Sequence, residues 1–180
     1  TFENVHAATL HLIPEQPSRI LDIGAGSGRD AAYLARAGHR VVAVEPTAEL
    51  RQGAEALHRG HDIEWIDDAL PGLTRLGDRR GAFDRVMITA VWMHLDELER
   101  RQGMRRVAQL LAPDGIVTLS LRHGPAPVTR RMFEVSAEET IALASAAGLD
   151  LLLDVQKPSS GSANESAGVT WSHLAFRKPA

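Results

Sequence analysis

The sequence contains no cysteine, which excludes disulfides, thiolate nucleophiles and cysteine-ligated zinc and gives no reason to expect an oxidising compartment. Cytoplasm is the expected location, and no metal is expected. No apolar run approaches the roughly 20 residues that a membrane span requires, and the opening "TFENVHAATL" lacks the basic and apolar regions of a signal peptide. The expectation is a soluble protein without a membrane partner, although the chain starts at Thr1 rather than methionine, which points to processing, trimming or a fragment. A basic excess is also missing, since the formal net charge is −3, so a nucleic-acid partner is not expected. Arg100, Arg101, Arg105 and Arg106 do cluster in "ERRQGMRR", but they alternate with an apolar stripe and read as a solvated helix face. Internal repeats and linker-like composition are absent too. The reading is one domain over residues 1–180, with 1–14 as an N-terminal helix or lid and 15–180 as the core, large enough to bury about 70% of its unfolded surface.

What is present is an alternation of short β-branched runs with longer segments of helical spacing, the pattern of parallel strands joined by crossover helices. "RILDI" (19–23), "RVVAVE" (40–45), "DIEWI" (62–66), "FDRVMIT" (83–89) and "GIVTLSL" (115–121) read as five buried parallel strands. A helix over Thr47 to Arg59 would put Leu50, Ala54 and Leu57 on one apolar face, with Thr47 as N-cap and Gly60 as stop. Asp96 with Glu99, and Ser136 with Glu139, have the spacing of a cap and its N3 partner, and open helices running to about Leu111 and Ala147. "LDLLLDVQ" (149–156) and "VTWSHLAFR" (169–177) have no helical pattern between them and read as an antiparallel pair, joined by a polar, mobile loop. At the start, Phe2, Val5, Leu12 and Ile13 read as a short amphipathic helix over the sheet or the site.

The chemistry centres on "ILDIGAGSGRD". Gly24, Gly26 and Gly28 follow the first strand, where each missing Cβ permits a sharp bend and lets a flat, charged ligand approach the backbone. Arg29 occupies the position where a dinucleotide fingerprint has its third glycine. Glu45 ends the second strand about twenty residues later, where a carboxylate can accept hydrogen bonds from both hydroxyls of a ribose. That holds for any nucleoside. Asp22 before the glycines, Arg29, and the pair Asp67 and Asp68 after the third strand favour a cationic ligand. A nicotinamide-dependent oxidoreductase and a non-catalytic binding module that kept the fold remain the alternatives.

Taken in order, "LDIGAGSGR", "AVEP", "IDDALPGL", "FDRVMITAVWMHL" and "LLAPDGIVTLS" resemble the class I methyltransferases that use S-adenosylmethionine. The resemblance covers about residues 10–125 by motif. It implies an α/β, Rossmann-like doubly wound sheet of seven strands, mostly parallel with the last strand antiparallel and helices on both faces. It also implies that Asp22, Gly24, Ala25 and Gly26 hold the methionine part of S-adenosyl-L-methionine and that Glu45 takes the ribose. Pro46 would lie on the adenine face, Asp68 or the adjacent Asp67 near the adenine amino group with Ala69 beside them, and Ala90 beside the sulfonium. A base is needed only for an acceptor that arrives protonated, and His94 and His123, after the fourth and fifth strands, are the candidates. Trp92, Arg122 and His123 are the candidate acceptor contacts. The expected substrate is a small molecule or a peptide, methylated on oxygen or nitrogen.

Overall fold

The computed structural model describes residues 1–127, 130–159, 164 and 166–180. Seven strands, β1 (Arg19–Ile23), β2 (Arg40–Val44), β3 (Ile63–Ile66), β4 (Phe83–Ile88), β5 (Leu111–His123), β6 (Asp150–Pro158) and β7 (Thr170–Arg177), form one sheet in the order β3-β2-β1-β4-β5-β7-β6. All neighbours from β3 through β5 are parallel, and β7 runs antiparallel to both β5 and β6. This is the expected topology. The strand order reverses at β1, which lies between β2 and β4, so the crevice beyond its carboxyl end is where a ligand of an open α/β sheet binds.

The period-2 alternation of the strands decides which residues face which helices. Leu21, Ile23, Val42, Val44, Val86, Ile88, Val117, Leu119 and Leu121 point to one face and form a continuous core with Met104, Val107 and Leu110 of α4 (Glu97–Leu110) and Ala144 of α5 (Ala137–Ala146). Ile20, Val41, Ala43 and Met87 point to the other, against Ala31 and Leu34 of α2 (Arg29–Arg36) and against Phe2 of the single turn α1 (Phe2–Val5). Asp22 follows Ile20 by two residues, so it lies on the α2 side.

The caps at Asp96 and Ser136 make their side-chain bonds, whereas Thr47, at the N-cap of the helix after β2, makes none among the described residues. Asp96 Oδ1 accepts from Glu99 N at 2.9 Å while Glu99 Oε2 accepts from Asp96 N at 2.8 Å, and Ser136 accepts from Glu139 N at 3.0 Å. Two expectations need correction. Helix α3 (Ala48–Leu57) buries only Ala54, with Leu50 and Leu57 exposed; β3 is a four-residue edge strand with no fully buried residue, which leaves α3 little sheet to cover. The N-terminal segment is α1 and a 3₁₀ turn at Leu10–Leu12 rather than one amphipathic helix, pinned by the Phe2 ring stacked on Tyr33 at 4.0 Å. The mobile loop expected between β6 and β7 includes residues 160–163 and 165, which lie outside the described ones. Among the described residues, no helix is long and apolar enough to cross a membrane.

Candidate functional site

The turn after β1 uses its three glycines in different ways. All have positive φ, at 77°, 56° and 75° for Gly24, Gly26 and Gly28, a region that residues with a Cβ rarely enter. A Cβ on Gly24 would collide with the Val91 side chain, and one on Gly28 would lie 2.6 Å from the Trp65 ring. Those two glycines serve packing. A Cβ on Gly26 would meet nothing within 4 Å among the described residues, so Gly26 is where the turn faces open space. Gly24 N and Ala25 N donate to the Val44 carbonyl at 2.8 and 3.0 Å, lashing the turn to the end of β2.

Glu45 completes this lashing. Its buried carboxylate accepts from Gly26 N at 2.9 Å through Oε2 and from Thr47 N at 2.8 Å through Oε1. Each oxygen keeps a further lone pair for a hydroxyl donor. Pro46 beside it is exposed. Across the crevice, Asp68 turns back on its own loop, accepting from Ala69 N at 2.9 Å and Arg75 N at 2.6 Å. The neighbouring Asp67 is half-exposed and ion-paired, 3.3 Å from Arg51 and 3.7 Å from Arg75.

Asp22 is the electrostatic anomaly of the site. Its carboxyl is 2% exposed, and Oδ2 finds no hydrogen-bond partner among the described residues. Burial, followed by the nearby Asp30, pushes it up to about 8, against the opposing pull of Arg29. Asp30, in the first turn of α2, is itself buried and accepts from Arg29 Nε at 2.6 Å and from His6 Nε2 at 2.8 Å. Burial acts to raise Asp30 as well, but these two donors outweigh it and hold the carboxyl below the usual range. His6 carried no signal in the sequence, and an acidic residue at a helix start is too common to have marked Asp30.

At the end of β4, Ala90 has φ 57° and donates its N–H to Ser120 Oγ at 2.9 Å. A non-glycine residue held in this conformation at the crevice is local strain of the kind that clusters at binding sites. His94 closes the 3₁₀ turn Trp92–His94, and its Nδ1 donates to the Arg131 carbonyl at 2.7 Å. Because a carbonyl only accepts, Nδ1 carries the proton and the neutral ring keeps its lone pair on Nε2. His123 Nε2 lies 2.8 Å from Ser172 Oγ, and Arg122 donates to the Pro125 carbonyl at 2.8 Å. Both border a cleft of about 690 Å³ between the end of β5 and the start of α5, lined also by Phe133, Glu134, Ser136 and Glu139.

Two expectations are corrected here. Trp92 does not wall this cleft: it is fully buried in the core on the α4 and α5 side. Of the basic cluster, Arg100 is not solvated but buried, gripping Glu139 of α5 at 2.8 Å through Nε and the Leu95 carbonyl at 2.6 Å through Nη1.

With this geometry in place, comparison with known proteins becomes informative. A family model described as "Methyltransferase domain" matches residues 20–115, more than half of the chain. Protein-L-isoaspartate O-methyltransferase 2 of Rhodopseudomonas palustris is 33% identical over 115 residues, covering 64% of this chain and 48% of the relative. Demethylmenaquinone methyltransferase of Clavibacter sepedonicus is 30% identical over 131 residues, 72% of this chain and 51% of the relative. The chain thus spans about half the length of the curated relatives it matches. Among solved structures, the 1,6-didemethyltoxoflavin-N1-methyltransferase of Burkholderia thailandensis, with bound 1,6-didemethyltoxoflavin and S-adenosylhomocysteine, superposes with a TM-score of 0.78 at 25% identity, over 99% of this chain and 78% of the other.

Proposed function

Because the chain belongs to the class I methyltransferases that use S-adenosylmethionine, matching their domain over residues 20–115, we propose that it moves the methyl group of this cofactor to a small-molecule or peptide acceptor. Residues 1–180 act as one domain, with the N-terminal segment over the site. The observation that carries the reading is the buried Asp22 carboxyl, whose unsatisfied oxygen sits at the base of a glycine turn open only at Gly26. A buried carboxylate with one oxygen unpartnered among the described residues is stable as an anion only beside a cation, and a cationic amino-acid group of a nucleoside ligand meets that need.

In this reading Asp22, Gly24, Ala25, Gly26 and Ala90 hold the methionine end of the cofactor. Glu45 takes the ribose through its free lone pairs, Pro46 and Ala69 border the adenine, and Asp67 rather than the self-engaged Asp68 offers it a carboxylate. When bound, the cofactor supplies a methyl group already activated by a sulfonium. The protein then has to align an acceptor atom and exclude water, which together lower the barrier by about 7 kcal/mol or more. The cleft beyond β5 is the acceptor entrance, with Arg122 and His123 on its rim. His94, whose Nε2 lone pair is kept free by the Arg131 carbonyl, is the better placed base for an acceptor that arrives protonated. The cysteine-free composition supports a cytoplasmic location.

Calorimetry tests the assignment. S-adenosylhomocysteine is expected to bind with a dissociation constant on the order of micromolar, roughly −8 kcal/mol, and NADH not to bind. The variant Gly26→Val, whose branched side chain enters the open space and strains a positive-φ position, is expected to lose the binding and some stability while its circular dichroism stays native-like. Binding of NADH without any response to S-adenosylhomocysteine rejects the reading.

A further inference from the structure

The N-terminal segment is fastened to the site by a feature that the cofactor reading does not use. His6 and Asp30 are each 5% exposed and joined at 2.8 Å. Phe2, one turn before His6, is buried with its ring 4.3 Å from the imidazole and stacked on Tyr33 of α2. Val5, His6 and Thr9 roof a small cavity whose floor is Thr89, Thr118, Ser120 and His173. Ser120 is the residue that holds Ala90, and Asp30 is the carboxylate that acts most strongly on Asp22. The segment therefore lies beside the end of β4, and through Asp30 it is coupled electrostatically to Asp22 of β1.

We propose that His6 is a positioning residue of the cofactor site: by binding Asp30 it straps the N-terminal segment across α2 and keeps Asp22 out of water, so that the carboxylate meets the cofactor's ammonium without competition from solvent. The proposal rests on the reading of the chain as an S-adenosylmethionine binder. The charged and titratable groups around His6 are Asp30 and Arg29 from α2, Asp22 from β1 and His173 from β7. Burial, then Lys157 and His6, hold His173 below its ordinary value, so at neutral pH it adds no positive charge to this cluster. The contribution assigned to the strap is exclusion of water around Asp22.

A purely structural role for His6 would change stability alone. The strap predicts a change in the number of protons exchanged on binding. With Asp22 pushed up to about 8, the free protein holds that proton at pH 7, and S-adenosylhomocysteine should expel about one proton as its ammonium takes over. Calorimetry at pH 7 in phosphate and in Tris measures this count. In His6→Ala, Asp22 becomes hydrated and ionised beforehand, so the count falls toward zero, affinity for S-adenosylhomocysteine drops about tenfold, and deuterium uptake rises over residues 2–12. His6→Gln keeps a donor where Nε2 stood and should retain the parent's proton count and most of its affinity. Asp30→Asn should resemble His6→Ala, and the double variant should be no worse than either single one. Should His6→Ala fail to fold, His6→Leu, which fills the space without a donor, takes its place in the contrast with His6→Gln. A parent-like proton count in His6→Ala, or losses that add in the double variant, overturns the proposal while leaving cofactor binding intact. If the parent protein does not bind S-adenosylhomocysteine at all, the functional reading falls and this one with it.

Discussion

Asp22 is held in a state that favours a ligand over the protein alone. A carboxyl whose folded value is about 8 keeps its proton in the native state across a range where the unfolded chain has already lost it. The native state then binds more protons than the unfolded one, so this group's contribution makes stability decline as pH rises from about 4 to about 8. Below that window both states are protonated and the effect vanishes. Asp22→Asn removes the titration. The variant is expected to be more stable than the parent at pH 8 by about 1 to 3 kcal/mol, with little difference at pH 4, while binding S-adenosylhomocysteine much more weakly. Urea unfolding at the two pH values, alongside calorimetry, checks both halves. A gain in stability coupled to a loss of binding separates a functional residue from a packing residue. Glu45 is different, because its two backbone bonds to Gly26 and Thr47 make it part of the turn's own structure, so its removal would disturb the loop and the ribose contact together.

At the scale of elements, strands and caps were legible because their signals are local. Short apolar runs such as Ile20 to Ile23 and Val41 to Val44 mark a strand buried on both faces, within which residues two apart share a side, and a cap needs only its partner three residues on. Contacts between elements were not legible in the same way. Arg100 sits in a run of charges that looks solvated until α5 packs beside α4 and brings Glu139 within 2.8 Å. The pairing of His6 with Asp30 spans 24 residues and has no motif. The glycines of the turn could be counted in sequence, but which of them faces the ligand depended on where Val91 and Trp65 came to lie. Arg100 offers a direct test at this scale. Arg100→Ala strands the partly buried Glu139 and the Leu95 carbonyl, and is expected to destabilise the protein by about 2 to 4 kcal/mol. Arg101→Ala, which breaks only the exposed pair with Glu97 at 3.4 Å, should shift stability by less than about 0.5 kcal/mol. Urea midpoints at constant slope read the difference.

Over the whole molecule, the sheet separates two tasks. Its α4 and α5 side carries the larger apolar core, and the carboxyl ends of β1, β2 and β4 carry the polar crevice. The position of β7 between β5 and β6 has a consequence for how the chain comes off the ribosome. A domain made only of successive crossovers can add each strand to a growing edge as it emerges. Here β5 and β6 appear first, with a gap between them that only β7 fills through its antiparallel register from Thr170 to Arg177. Until that strand is released, the nascent sheet presents two unsatisfied edges, and the β5 edge bears the apolar Val117, Leu119 and Leu121. Chains stalled before residue 170 should therefore be captured by chaperones and cut rapidly by protease, whereas chains with β7 clear of the tunnel should resist; arrest-peptide and pulse-proteolysis measurements on nascent chains of graded length would locate that step. Synthesis of this domain is thus exposed to aggregation until β7 is released, and its quality control falls at that strand rather than at the glycine turn where its chemistry begins.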